Sequence, residues 1–242
     1  MKYLLELSYD GSKFYGFQKQ NNKETVQGNV ESVLSKILDE KIKTTGASRT
    51  DRGVHAYSQF ITFETNKIKD KEKFKYSLNQ LLNNSIYIES INEVDNDFSP
   101  RYDVIMKEYV YKINIGEYNP IEKDYIYQYN EKININLMKK AIKKIKGKHN
   151  FKSFTSDTDK DDYIRDIKDI KIIKDNNYIY LYIKAKSFLR YMIRNIVGLL
   201  IDINEGKKSI DDIDYIFKSE DRKTCGRCID ACGLYLNKIY YK

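Results

Sequence analysis

The sequence contains no tryptophan and only two histidines, and its three cysteines, Cys225, Cys228 and Cys232, fall in one short segment. A C-x-x-C spacing can ligate metal, but a closed site needs about four ligands. No fourth ligand stands near this segment, and His55 and His149 are the only histidines elsewhere. Reduced thiols without a bound metal are therefore the expectation. Long apolar runs are also missing. The opening MKYLLELSYDG is apolar only briefly and carries acidic residues, too short for a membrane span and without the apolar stretch of a signal peptide. Residues 196–203 are apolar, but Asp202 and the flanking Arg190, Arg194 and Lys207 fit a buried helix. The expectation is a cytoplasmic protein without membrane contact. No G-x-G-x-x-G follows the first strand and there is no Walker loop, which argues against a doubly wound dinucleotide fold. No fixed-period repeat appears, which excludes a solenoid.

What is present points elsewhere. The chain carries 22 Tyr, 10 Phe and a formal net charge of +8, with a sequence pI near 9.0. A basic surface favours a polyanionic partner, and a tyrosine ring stacks on a base while its hydroxyl hydrogen-bonds. Together these suggest nucleic acid; a lysine-rich solvated surface and tyrosines packed in strands account for the same numbers without it. With 242 residues, 41% hydrophobic and 32% charged with both signs mixed, the chain can bury one large core or two smaller ones.

Periodicity places the elements. Residues 2–8 read as a strand that stops at Asp10-Gly11. Val26, Val30, Val33, Leu34, Ile37 and Leu38 lie at helical spacing after Thr25, a suitable N-cap. Residues 46–53 read as a loop, 58–63 as a strand, 71–82 as a helix and 86–92 as a strand. Tyr109, Tyr111, Ile113 and Ile115 share one face of a strand. Leu137 to Ile145 form a helical stripe, and 164–173 with 178–185 flank a turn at 175–177. Residues 188–203 read as the most apolar helix, with Leu189, Met192, Ile193, Ile196, Val197 and Leu200 inward. A short helix begins at Ser209, and 234–240 close as a strand. A boundary near 95–105 gives two halves, 1–100 and 101–242, and an α+β class in which the strands of both halves join one antiparallel sheet.

The segment Gly46-Ala47-Ser48-Arg49-Thr50-Asp51-Arg52-Gly53-Val54-His55-Ala56 concentrates the chemistry. A carboxylate stands between two arginines in a Gly-flanked loop. Such a loop is either a solvated turn or an ionised carboxylate held ready for attack, its charge favoured by the cations.

Arg49 to Ala56 resembles the R-T-D-x-G-V-H-A signature of the A-type tRNA pseudouridine synthases (the TruA family), and further segments follow in order. Tyr9-Asp10-Gly11 with Phe14 to Gln20 resembles Y-D-G-x-x-F-x-G-W-Q-x-Q, and Thr25-Val26-Gln27 resembles T-V-Q. Phe98 to Arg101 resembles F-H-A-R, Lys107 to Tyr111 resembles K-x-Y-x-Y, and Gly147 to Phe154 resembles G-x-H-D-F-x-S-F. Phe188 to Gly198 resembles F-L-x-x-M-V-R-x-I-V-G, and Gly233 to Leu236 the closing G-L-x-L. Phe17 stands for the usual Trp, Ser48 for a Gly, Asn150 for an Asp and Ser99-Pro100 for His-Ala, and the Cys-rich segment replaces a T-A-P-A-type loop.

The resemblance implies the pseudouridine synthase fold, with two similar α/β halves sharing a mainly antiparallel sheet, helices on its outer face and an RNA-binding cleft between the halves. It implies isomerisation of uridine in the anticodon stem-loop of tRNA, without metal or organic cofactor, by a homodimer. Asp51 is then the nucleophile, Tyr109 contacts the target base and Arg194 is the ion-pair partner of Asp51. Arg194 stands four residues after Arg190, on the same side of the expected helix. Arg49, Arg52 and His55 are candidates for contacting the RNA, with His55 equally readable as a packed loop residue. An RNA-binding module without catalysis fits the composition as well as the enzyme does.

Overall fold

The computed structural model describes residues 1–158 and 160–242. In chain order its elements are β1 (Lys2–Tyr9), α1 (Val26–Leu38), β2 (Thr45–Gly46), β3 (His55–Glu64), α2 (Lys71–Leu81), β4 (Ile86–Val94), β5 (Val104–Asn114), β6 (Tyr127–Gln128), α3 (Ile135–Ile145), β7 (Gly147–Asn150), β8 (Ile164–Asp175), β9 (Tyr178–Ala185), α4 (Met192–Asn204), α5 (Asp212–Ser219) and β10 (Leu234–Tyr241). The class is mixed α+β. The chain forms two compact units, one of Met1–Ile105 with Tyr235–Lys242 and the other of Met106–Leu234.

In the first unit the strand order is β4-β1-β3-β10, with β2 against β3. β1 runs antiparallel to both neighbours, while β10 pairs with β3 in parallel. The strict alternation of β1 buries Tyr3, Leu5, Leu7 and Tyr9, giving the sheet one apolar face. Helix α1 begins where the Thr25 side chain accepts from the Gly28 N–H and ends at Asp39, whose φ of 47° is left-handed. It buries Val26, Val30, Leu34 and Leu38, and α2 buries Phe74 and Leu78. The ring of Phe63 on β3 lies 6.4 Å from that of Phe74 on α2. Each such fully buried side chain contributes about 1.5–3 kcal/mol.

In the second unit the order is β5-β9-β8-β7, antiparallel throughout, with β6 parallel to the end of β5. Helix α3 buries Met138, Ala141, Ile142 and Ile145 and exposes Lys139, Lys140 and Lys143. Helix α4 is buried along most of its length, Asn195 and Asp202 included, while Arg194 and Asn204 are half-buried. Its polar side chains are satisfied: Asn195 donates to the Phe154 carbonyl (2.7 Å) and accepts from Arg222 (2.7 Å), and Asp202 accepts from Arg227 Nε (2.6 Å). No helix among the described residues is long and apolar enough to cross a membrane.

α4 starts at Met192 rather than at 188, because Tyr191 has a φ of 61° and interrupts the backbone there. Arg190 therefore precedes the helix and has no i,i+4 relation to Arg194. Both guanidinium groups nevertheless meet the Tyr191 ring, at 4.8 Å and 5.1 Å from its centre.

Candidate active site

The loop that carries Asp51 is held at several backbone points within the first unit. Ala47 N–H donates to the Phe60 carbonyl (2.8 Å), Phe17 N–H to the Thr50 carbonyl (3.1 Å) and Val54 N–H to the Asp51 carbonyl (3.2 Å). The Tyr9 and Thr50 hydroxyls share a buried 2.7 Å hydrogen bond. Gln59 is fully buried and clamps Ser48 from both sides, donating to its carbonyl (2.8 Å) and accepting from its N–H (3.2 Å). A lost partner for such a buried amide costs about 1–3 kcal/mol, so the clamp is strongly specified. Ser48 is absent from the positive-φ residues, so a side chain fits there without strain.

Gly16 lies directly beneath the loop. Its φ is +96°, and a Cβ there would stand 3.0 Å from the Thr50 carbonyl oxygen and 3.3 Å from the Asp51 carbonyl carbon. A Cβ on Gly11 would come within 1.9 Å of the Val54 carbonyl oxygen. The Y-D-G and F-x-G segments thus make room for the loop by lacking side chains. Phe17, 2% exposed, fills the space under Gly46 and lies 6.5 Å from the Tyr9 ring.

Asp51 is half-buried between the exposed side chains of Arg49 and Arg52. The Arg52 guanidinium sits 4.3 Å from the Tyr15 ring centre, and Lys23 Nζ lies 4.6 Å from the same centre. This cation–π contact gives Arg52 a preferred position against the Tyr15 ring. His55 is only 2% exposed. Its Nδ1 accepts from the Gly11 N–H (3.1 Å), so a neutral ring carries its proton on Nε2. Asp10 Oδ1 approaches the same nitrogen at 3.3 Å and accepts from the Ser12 N–H (3.0 Å) and hydroxyl (2.7 Å).

Tyr109 and Arg194 belong to the second unit. Tyr109 is buried on β5 and meets Phe188 edge-to-face at 5.2 Å. Arg194 is half-buried, and its Nε donates to the Ile229 carbonyl (2.6 Å), which ties α4 to the cysteine segment. Tyr111, fully buried, donates to the Asp230 carbonyl (2.6 Å) in the same segment.

Tyr15, Tyr57 and Gln59 were not singled out by sequence reasoning. Gln59 left one readable signal: it is polar at a position in phase with Ile61 and Phe63.

The three cysteines are free. Among the described residues no group of three His, Cys, Asp or Glu side chains is arranged to hold a metal ion. Burial pushes the Cys225 thiol up to about 12 and the Cys232 thiol up to about 11, while Cys228 is exposed. A thiol near 12 has about a thousandfold less thiolate than an ordinary one at the same pH. Titration with an aromatic disulfide reagent at mildly alkaline pH is expected to modify Cys228 first and Cys232 more slowly. Cys225 should react only on unfolding. Three thiols reacting at one rate would contradict this burial.

The sequence profile of the tRNA pseudouridine synthases matches residues 7–103 and 141–242. The tRNA pseudouridine synthase A of Clostridium acetobutylicum is 41% identical over 239 residues, covering 98% of each chain. That of Geobacillus sp. is 38% identical over 238 residues, covering 97% of this chain and 96% of the relative. That of Caldicellulosiruptor saccharolyticus is 38% identical over 240 residues, covering 98% of each.

Proposed function

Because the chain belongs to the tRNA pseudouridine synthase family, an isomerase family, we propose that it converts uridine to pseudouridine in the anticodon stem-loop of tRNA with Asp51 as the nucleophile. The observation that carries this reading is the Asp51 loop, a carboxylate flanked by two exposed arginines on a backbone fixed by Phe17, Val54 and Gln59. A group that must meet one carbon of a nucleoside needs such positioning.

The reaction breaks the N1–C1′ bond and forms a C5–C1′ bond. The proton leaves C5, N1 gains one, and no electrons are exchanged, so the stoichiometry calls for no redox cofactor. Asp51 acts at the sugar–base junction by attack on C1′, by attack on C6, or by taking the C2′ proton. The target nucleotide must leave its stack first. Arg49 and Arg52 grip the phosphate backbone beside the displaced nucleotide, and His55 supports the loop from below. The family motifs supply the remaining roles, with Tyr109 against the target base and Arg194 as the charge partner of Asp51. The enzyme acts in the cytoplasm as a homodimer.

Incubation with unmodified tRNA transcript, digestion to nucleosides and chromatographic detection of pseudouridine tests the reaction. Pseudouridine without added cofactor is the expected result. Tight tRNA binding with no pseudouridine in any transcript would replace the enzyme with a binding module. Binding itself should be strongly electrostatic: log affinity falls against log salt with a slope of roughly −0.7 to −0.9 per phosphate contacted. A dissociation constant independent of salt would contradict the assignment of the basic surface to RNA.

A further inference from the structure

We propose that Tyr57 is a stacking platform for an unpaired base of the RNA, a role that rests on the RNA-modifying reading above. Regular alternation would put Tyr57 on the same face as Gln59, Ile61 and Phe63, which are 0%, 0% and 2% exposed; Tyr57 is 47% exposed. The cause is a bulge. The β1–β3 register runs Leu7 to Gln59 and then Tyr9 to Ala56, so Tyr57 and Ser58 stand opposite the single residue Ser8. Bulges re-aim side chains next to functional loops, and this one turns a large aromatic ring out of the core.

The exposed ring is supported from beneath. Tyr57 lies nearly parallel to Tyr235, at 5.0 Å and 16°, and Tyr235 lies on His55 at 4.5 Å and 18°. Tyr235 and His55 are 6% and 2% exposed, and His55 is anchored through its Nδ1 to the Gly11 N–H. The three rings thus run from a buried base, hydrogen-bonded to the turn under the Asp51 loop, to a solvent-facing tip. A flat ring with two rotatable bonds, held by its neighbours, loses little freedom when a base stacks on it. Every nucleobase has a π-face, so such a platform is tolerant of sequence and takes unpaired bases only. The single-stranded loop of the stem-loop substrate proposed above supplies such bases.

The test uses the intact protein with three variants and a fluorescent base. Tyr57→Ala is expected to raise Kd and KM for tRNA about tenfold, equivalent to about 1.4 kcal/mol, with a smaller change in kcat. Tyr57→Phe keeps the ring and should stay within twofold of wild type. Tyr76→Ala removes another exposed tyrosine, 66% exposed on α2, and should also stay within twofold. Replacing unpaired bases one at a time by 2-aminopurine should reveal one position whose fluorescence is quenched by wild type and Tyr57→Phe but not by Tyr57→Ala. The wild-type quenching needs no variant to fold. Unchanged affinity in Tyr57→Ala, an equal loss in Tyr57→Phe, or an equal loss in Tyr76→Ala overturns the platform. Active wild type with an unaffected Tyr57→Ala sinks the platform alone. Wild type that quenches the base yet forms no pseudouridine supports the platform and sinks the enzyme.

Discussion

Replacing Asp51 by Asn is expected to lower pseudouridine formation by roughly a thousandfold or more while tRNA affinity stays within about tenfold, 1.4 kcal/mol. Asn matches Asp in shape, and the hydrogen bonds of the loop backbone to Phe17, from Val54 and with the Gln59 amide do not involve the substituted carboxylate. What is lost is the charge, and with it the ability to attack carbon or accept a proton. Binding depends instead on the cations. A carboxylate among phosphates is repulsive, so affinity in the variant can rise. The two measurements are a filter-binding titration and a pseudouridine assay on one preparation. Residual turnover within tenfold of wild type would remove Asp51 from the chemistry, and a parallel collapse of binding would mean that the loop had been disturbed.

Gly16→Ala should lower kcat about a hundredfold, the scale expected when a catalytic group is displaced by about 1 Å. The substitution conflicts with the structure in two ways. The φ of +96° is one that L side chains rarely adopt, and the new Cβ would press at 3.0–3.3 Å on the backbone of Thr50, Asp51 and Arg52. Left-handed backbone costs roughly 1–2 kcal/mol for a residue with a Cβ, which a folded domain withstands. The contact, however, falls on the peptide that carries the carboxylate. A melting temperature lowered by a few degrees with a much larger loss of turnover is the expected pattern. Full activity in Gly16→Ala would show that the Asp51 backbone does not need the placement it has.

The elements with strong periodicity and clear ends were legible in the sequence. α1 follows its Thr25 cap, and β1 stops at the Asp10-Gly11 turn, close to where pattern and turn chemistry put them. Other boundaries moved for identifiable reasons. β3 begins at His55 rather than at 58 because the bulge at Tyr57 and Ser58 breaks the alternation on which the reading depended. β5 begins at Val104, ahead of the alternating run that starts at Tyr109, because Lys107 and Glu108 look like surface residues. Glu108 is 7% exposed and pairs across the sheet with Lys184 of β9 at 2.7 Å, a partner invisible to local pattern. α4 starts late because Leu189 keeps the apolar rhythm through a turn that Tyr191 makes non-helical. β6 and β7 have two and four residues, too few to carry a period.

The site was legible to a different degree. Residue chemistry alone left the Asp51 loop poised between a solvated turn and a reactive carboxylate, and the ordered motifs tipped the reading towards an enzyme. The parts that hold the loop were hidden because they act at a distance in sequence: Gln59 on Ser48, Gly16 under Asp51, and Tyr15 against Arg52. The ring stack of His55, Tyr235 and Tyr57 joins residues far apart in the chain and depends on a one-residue slip that no periodicity can announce.

The proposed reaction is the formation of pseudouridine in the anticodon stem-loop through Asp51. Position-resolved chemical mapping of pseudouridine, on one unmodified tRNA transcript treated in parallel with wild type and Asp51→Asn, tests it most directly. New pseudouridine is expected within the anticodon stem-loop in the wild-type sample and none in the Asp51→Asn sample. Uridines left unchanged by wild type, modification confined to another arm, or the same pseudouridine formed by Asp51→Asn would contradict it.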